Sequence, residues 1–193
     1  MKNSTTRRSL ATLLIAASMA IFGSCNSNSG NTLDSQLEID SLRNQLKELT
    51  LGNEMISENL VKFDSLDFRV FTNQEWTRLY ESDAKDIVVH MPDGQITYGI
   101  ERHIEILKAM FVYAPNTNIM QHPIRFGFGN ITCVTGIMAG TFSASMPIGG
   151  GKFIQPTGKS FSLPMCTVGI WKHKLMSEEY LFWDNQTYMN QIG

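Results

Sequence analysis

The chain has 193 residues, 42% hydrophobic and 18% charged, with a formal net charge of −2. That length fits one domain plus an arm rather than two domains, and the apolar share is enough for a real core. No basic patch argues for a nucleic-acid partner.

The N-terminus reads as an export signal. Lys2, Arg7 and Arg8 are followed by an uncharged apolar run from Leu10 to Phe22. A membrane-spanning helix needs roughly 20 apolar residues, so the run fits the apolar region of a signal peptide. Gly23 and Ser24 supply the small side chains that a signal peptidase needs, and Cys25 follows. Phe22 to Cys25 resembles a lipobox, with Phe22 bulkier than usual. The expectation is cleavage after residue 24 and lipidation of Cys25, giving an exported protein anchored to a bacterial membrane, periplasmic or at the cell surface. The alternative is an ordinary secretory signal with a chance cysteine. Arg7-Arg8 is a poor twin-arginine match. Residues 25–53 form a tether and arm. Asn26 to Asn31 is small and polar. Ile39, Leu42, Leu46, Leu49, Asn53, Ile56, Leu60 and Phe63 then hold a heptad register, with asparagine at one core position and Gly52 interrupting. The seam predicts an oligomerising stalk over 33–51 and packing on the domain after Glu54. Gly52 could split the arm into two helices.

The domain is expected over 54–193. Glu54 to Tyr80 reads as helix with a break near Asn73-Gln74. Asp86 to Met91 reads as strand, and Pro92-Asp93-Gly94 as the turn of a small hairpin ending at Tyr98. A helix opens after Gly99, with Ile100, Ile104, Leu107 and Phe111 on one face. Ala114-Pro115-Asn116 stops it. Strands follow at 118–128, 131–145, 161–173 and 174–183, rich in β-branched and aromatic residues. Gly149 to Gly151 is a flexible connection, and 186–192 a final helical turn. Helices first and antiparallel strands afterwards define an α+β class. The expected form is helices packed against a curved, mostly antiparallel sheet, with a pocket between them.

Strand alternation places Met176, Glu178, Tyr180, Phe182 and Asp184 on one face of the last strand. Carboxylates among apolar side chains lose hydration, and their pKa values rise toward acid–base use at neutral pH. If that face points inward, Asp184 is the candidate acid/base, with Glu178 and His90 beside it. Tyr180, His90 or His103 could donate to an oxyanion. The alternatives are that Asp184 caps the last helical turn, that Glu178 is a solvated strand-end residue, and that His103 is a satisfied core histidine. His122 and His173 read as structural or exposed. His103, Met110, Tyr180, Phe182 and Trp183 are the expected ligand-binding residues, and methionines suit an irregular apolar ligand. Cys133 and Cys166 read as buried free thiols, although export permits a disulfide. No metal spacing, phosphate loop or nucleophile elbow occurs, so neither metal nor cofactor is expected.

Several short motifs in order resemble the SnoaL-like polyketide cyclase and ester cyclase family of the nuclear-transport-factor-two-like superfamily. They are Ile87–Met91 with Pro92-Asp93-Gly94, Gly99–Phe111 with Ala114-Pro115, Gly129-Asn130-Ile131, Pro156-Thr157-Gly158-Lys159, the Glu178, Tyr180, Asp184 pattern, and the closing Asn190-Gln191-Ile192-Gly193. Asn130 and Tyr180 stand where the family usually has aspartate and tryptophan. The resemblance implies a cone-shaped barrel with one deep apolar pocket, dimerisation through the open sheet face, and an aspartate at Asp184 acting as acid/base in ring closure. Relatives on that fold isomerise ketosteroids, open epoxides or only bind ligands, so fold alone does not settle function. An envelope location sits poorly with polyketide biosynthesis. The reading is therefore a cofactor-free cyclase or isomerase acting on a small apolar carbonyl compound. The alternative is a non-catalytic binding protein or an oligomeric envelope lipoprotein.

Overall fold

A computed structural model describes residues 29–193, with side chains from Leu33 onward. The expected signal peptide, Cys25 and most of the tether lie outside the described residues. The chain divides into two units, residues 1–47 and Glu48–Gly193.

Helix α1 (Ser29–Ser65) runs through Gly52 without interruption. The seam residues Leu42, Leu46 and Leu49 are exposed. Past Glu54 the helix turns apolar groups inward: Phe63 is fully buried, and Ile56 closes so tightly on Gly127 that a Cβ there would clash. The helix expected to Tyr80, with a break near Asn73-Gln74, changes form before that break. Leu66–Phe71 widens into a π-helix, with Thr72 N bonding back to Asp67 O and Glu75 N to Val70 O. Gln74, at φ 58°, ends it, and a 3-10 helix follows at Trp76–Glu81. A π-turn inserts a residue into the helical register, so it re-aims the side chains on its inner face, Asp67 among them.

Next come β1 (Asp83–His90), β2 (Ile96–Tyr98) and α2 (Ile100–Tyr113). As the periodicity requires, α2 buries Ile100, His103, Ile104, Leu107 and Phe111. The strand expected at 118–128 breaks into β3 (Asn118–Ile119) and β4 (Arg125–Phe128), because both fold separately onto β5 (Ile131–Thr141). A small hairpin, β6 (Met146–Pro147) and β7 (Phe153–Ile154), carries the glycine connection. The long strands β8 (Ser160–Lys172) and β9 (Leu175–Trp183) meet at His173-Lys174, both at positive φ, and α3 (Asn185–Ile192) closes the chain.

The sheet order is β2-β1-β9-β8-β5-β3, with β4 also on β5. It is mixed: β1 and β9 are parallel and the other pairs antiparallel. The sheet has two edges and is not closed into the expected barrel. One face packs on the π-helix and α2, joining Phe63, Leu66, Phe71, Leu107 and Phe111 to Val134, Met138, Leu163 and Leu181. Among the described residues, no helix is long and apolar enough to cross a membrane.

Candidate active site

The last strand decides which carboxylate enters the core. Ile170 faces Glu178 across β8–β9, but Trp171 faces Met176, so Ser177 is an extra residue on β9. Its hydroxyl donates to Ile170 O at 3.1 Å. A one-residue bulge reverses the inward phase of everything beyond it. Met176 is buried before the bulge, and Glu179 and Leu181 are buried after it. The face expected to point inward, Glu178-Tyr180-Phe182-Asp184, points away from the core.

Glu178, His90 and Tyr180 do meet, but on the outer face. Glu178 Oε1 lies 2.8 Å from His90 Nε2 and accepts from the Tyr180 hydroxyl at 2.7 Å, while the His90 and Tyr180 rings stack at 4.0 Å. The hydrogen bond from Tyr180, then that from His90, holds the Glu178 carboxyl below its usual value. The same bond raises the Tyr180 phenol. Phe182 is exposed and borders a shallow surface groove together with Asp184. Asp184 is exposed and caps α3: it accepts from Gln186 N at 2.9 Å and from the Thr187 hydroxyl at 2.6 Å. Those bonds, Thr187 first, lower its carboxyl pKa. This corrects its assignment as a cavity acid/base: a capping carboxylate is stabilised as the anion and lies away from the apolar pocket.

The cavity sits between the π-helix, α2 and the inner sheet face. Leu66, Asp67, Phe71, His103, Leu107, Thr167, Glu179 and Leu181 line its inner chamber, with Met91, Met110, Met138 and Trp183 at the outer limit. Those last four also line a neighbouring chamber with Tyr113, Phe161 and Tyr188. The inner space is about 40 Å³ and the outer about 260 Å³. The inner chamber therefore has room for one or two small groups and the outer for more, with methionines between them. Of the expected ligand-binding residues, His103, Met110 and Trp183 line the cavity, whereas Tyr180 and Phe182 do not.

Sequence reasoning missed the polar end of this cavity. Glu179 is buried, and its Oε2 lies 3.4 Å from His103 Nε2 without forming a hydrogen bond. His103 Nδ1 is likewise buried without a partner. Desolvation depresses the His103 imidazole to about 4, so it stands neutral. Burial, reinforced by the charges of Asp83 and Asp67, pushes the Glu179 carboxyl well above its ordinary range. Asp83, at the start of β1, is also buried with both carboxyl oxygens unpartnered, and desolvation raises it to about 8. Asp67 is raised by burial, opposed by its hydrogen bond to His122. His122, expected to be structural or exposed, has a side chain only 2% exposed and lies 2.8 Å from both Asp64 Oδ1 and Asp67 Oδ2. Burial opposes its charge, but the two carboxylates prevail and the net shift is upward. Cys133 and Cys166 are free thiols with sulfurs 3.6 Å apart.

Such an array suits proton transfer in an apolar space. Burial raises the Glu179 carboxyl, a second carboxylate, Asp67, is tied to a histidine, and Glu179 Oε2 and His103 Nδ1 stand unpartnered.

No family model and no curated relative matches the chain. Solved structures do. A candidate SnoaL-like polyketide cyclase of Jannaschia sp. CCS1 superposes with a TM-score of 0.63 at 17% identity, covering 72% of this chain and 93% of its own. IdmH, a candidate polyketide cyclase of Streptomyces antibioticus, gives 0.59 at 19% identity, with 69% and 96% covered. A Catenulispora acidiphila protein with a ketosteroid isomerase-like fold, solved with trimethylamine, gives 0.52 at 13% identity, with 64% and 86% covered. The chain thus has the fold shared by SnoaL-like polyketide cyclases and ketosteroid isomerase-like proteins.

Proposed function

We propose that this protein binds a small, largely apolar carbonyl compound and catalyses proton transfer on it, as a cyclisation or isomerisation. The carrying observation is that Glu179 and Asp67 line the inner end of one apolar cavity, with Glu179 Oε2 and His103 Nδ1 unpartnered. A carbonyl oxygen entering the inner chamber would accept a hydrogen bond from neutral Glu179. Asp67 would take the proton from the adjacent carbon, breaking the C–H bond and leaving its electron pair in an enolate that Glu179 stabilises. Return of the proton to a different carbon gives isomerisation, and attack of the enolate on a second carbonyl gives cyclisation. The ligand's body would occupy the outer chamber against Met110, Trp183 and Phe161.

The test is solvent deuterium exchange at the carbon next to the carbonyl, followed by NMR across a panel of small cyclic ketones. Wild-type protein should accelerate exchange for at least one ketone. Glu179→Gln, which keeps shape but cannot act as an acid, should lose about 100-fold or more while the ketone still binds. Unchanged exchange in Glu179→Gln would remove Glu179 from the mechanism. Binding without exchange in wild-type protein would favour a ligand carrier.

The same proposal includes export and a lipid anchor on Cys25, supported by the charged leader, the apolar run and the small residues before the cysteine. Self-association through the arm is supported by its exposed leucine seam. Mass spectrometry of the protein from membranes should show acylated Cys25, and Cys25→Ser should release it.

A further inference from the structure

His122 stands behind the cavity wall. Its Nε2 lies 2.8 Å from Asp67 Oδ2, and Asp67 lines the inner chamber. Its Nδ1 lies 2.8 Å from Asp64 Oδ1, and Asp64 is paired with Arg125. Pro123 follows and confines the His122 backbone to extended forms. The ring is held between Phe68, with centroids 4.3 Å apart, and Phe63 at 5.8 Å, edge-on. A neutral imidazole has one N–H and one lone pair, so between two ionised carboxylates it would turn that lone pair toward an anion. An imidazolium donates to both. The charges of Asp64, Asp67, His122 and Arg125 then cancel, so a buried ion pair sits in the core without net charge. The other titratable groups around Asp67 are Glu179 on β9, Asp83 on β1 and His103 on α2.

We propose that His122, held by Asp64, is a fixed imidazolium that keeps Asp67 ionised and oriented as the base of the cavity. The catalytic part of this proposal rests on the acid–base reading above. Asp67 Oδ2 is taken up by His122, so the substrate proton goes to Oδ1. The C–H bond breaks, its electron pair passes into the enolate, and the negative charge moves from Asp67 to the ligand. His122 keeps both ring protons throughout, and its Nε2–H still donates to Oδ2 of the protonated acid. Before the step Asp67 is negative, His122 positive and the ligand neutral. After it Asp67 is neutral, His122 positive and the enolate negative. The core therefore holds no net charge at either stage. Return of a proton from Oδ1 to a carbon of the product restores the resting charges. Without the imidazolium, burial and the charge of Asp64 would act on Asp67 unopposed, and both favour the neutral acid, which is no base. His122 is a positioning residue that acts through Asp67.

The charge state is tested first without substrate, by 15N NMR of the His122 ring in the full chain. At about pH 7.5, roughly one unit above an ordinary histidine's midpoint, both ring nitrogens should carry a proton. A bare ring nitrogen at that pH would overturn the proposal. Asp64→Asn removes one anionic partner at a partly exposed position, so the ring's midpoint should fall by about one unit or more. An unmoved midpoint would overturn the proposal as well. The ketone exchange assay reads the consequence. At a pH where the variant's ring is neutral and the wild-type ring protonated, Asp64→Asn should be about tenfold or more slower. Its exchange should recover as pH is lowered through its own midpoint, which a loss of packing would not produce. A protonated ring with no ketone turned over by wild-type protein would keep the ion pair and defeat the enzyme reading. Glu179-dependent turnover indifferent to the protonation of the ring in Asp64→Asn would keep the enzyme and defeat the positioning role.

Discussion

Asp184 follows β9 and Glu179 lies at its middle, and their environments give the two carboxylates opposite chemistry. Asp184 accepts two hydrogen bonds at the start of α3 and is stabilised as the anion. Asp184→Ala should therefore lower the melting temperature by a few degrees and leave ligand affinity unchanged, as calorimetry and ligand titration would report. Asp83 gives a pH-dependent test. Its carboxyl titrates about 8 in the fold against 3.8 ordinarily, so the folded chain keeps a proton that the unfolded chain gives up over that interval. Stability from this group is fully present below pH 4 and is lost as pH rises toward 8. Asp83→Asn escapes that loss. At pH 8 it should be more stable than wild type by about 1–3 kcal/mol, and near pH 4 the advantage should vanish. Chemical denaturation at the two pH values would show it, and equal stability at pH 8 would contradict the buried, protonated state.

At the scale of elements, periodicity made α2 legible, since four apolar positions at helical spacing must share a face. The same logic failed on β9 because strict alternation assumes an unbroken ladder. Ser177 adds one residue, and nothing in the local composition marks it. A clue was present beyond the bulge: Leu181 and Trp183 are apolar and share the phase of Glu179, whereas the face chosen from the sequence ended on a capping aspartate. The π-helix was equally hidden. Leu66 to Phe71 reads as ordinary helix, yet the wider turn carries Asp67 to the cavity. Deleting Ser177 should leave Glu179 inward, because Trp171–Met176 and Ile170–Glu178 then become neighbouring pairs of a regular ladder. The expected result is a folded chain that still binds the ketone, as ligand titration would report. Loss of binding in a folded deletion variant would show that the bulge itself shapes the site.

On the scale of the whole molecule, the order of helices and strands pointed to the α+β layout, and the solved structures share that fold. What stayed illegible was tertiary: which helix residues face the sheet, and that His122, far from Asp64 and Asp67 in sequence, lies between them. Since contacts separate residues 1–47 from Glu48–Gly193, a chain starting at Glu48 should melt at a temperature close to that of the full protein. Replacing Leu42 and Leu46 by lysine should abolish any self-association of the full chain in analytical ultracentrifugation while leaving ketone exchange unchanged.

The decisive comparison is ketone deuterium exchange in two variants measured side by side, Glu179→Gln and Asp184→Asn. Proton transfer at the inner end of the cavity requires Glu179→Gln to fall by about 100-fold or more and Asp184→Asn to stay close to wild type. The reverse pattern, with Asp184→Asn inactive and Glu179→Gln unimpaired, would place the chemistry at the outer groove and contradict the cavity as the catalytic site.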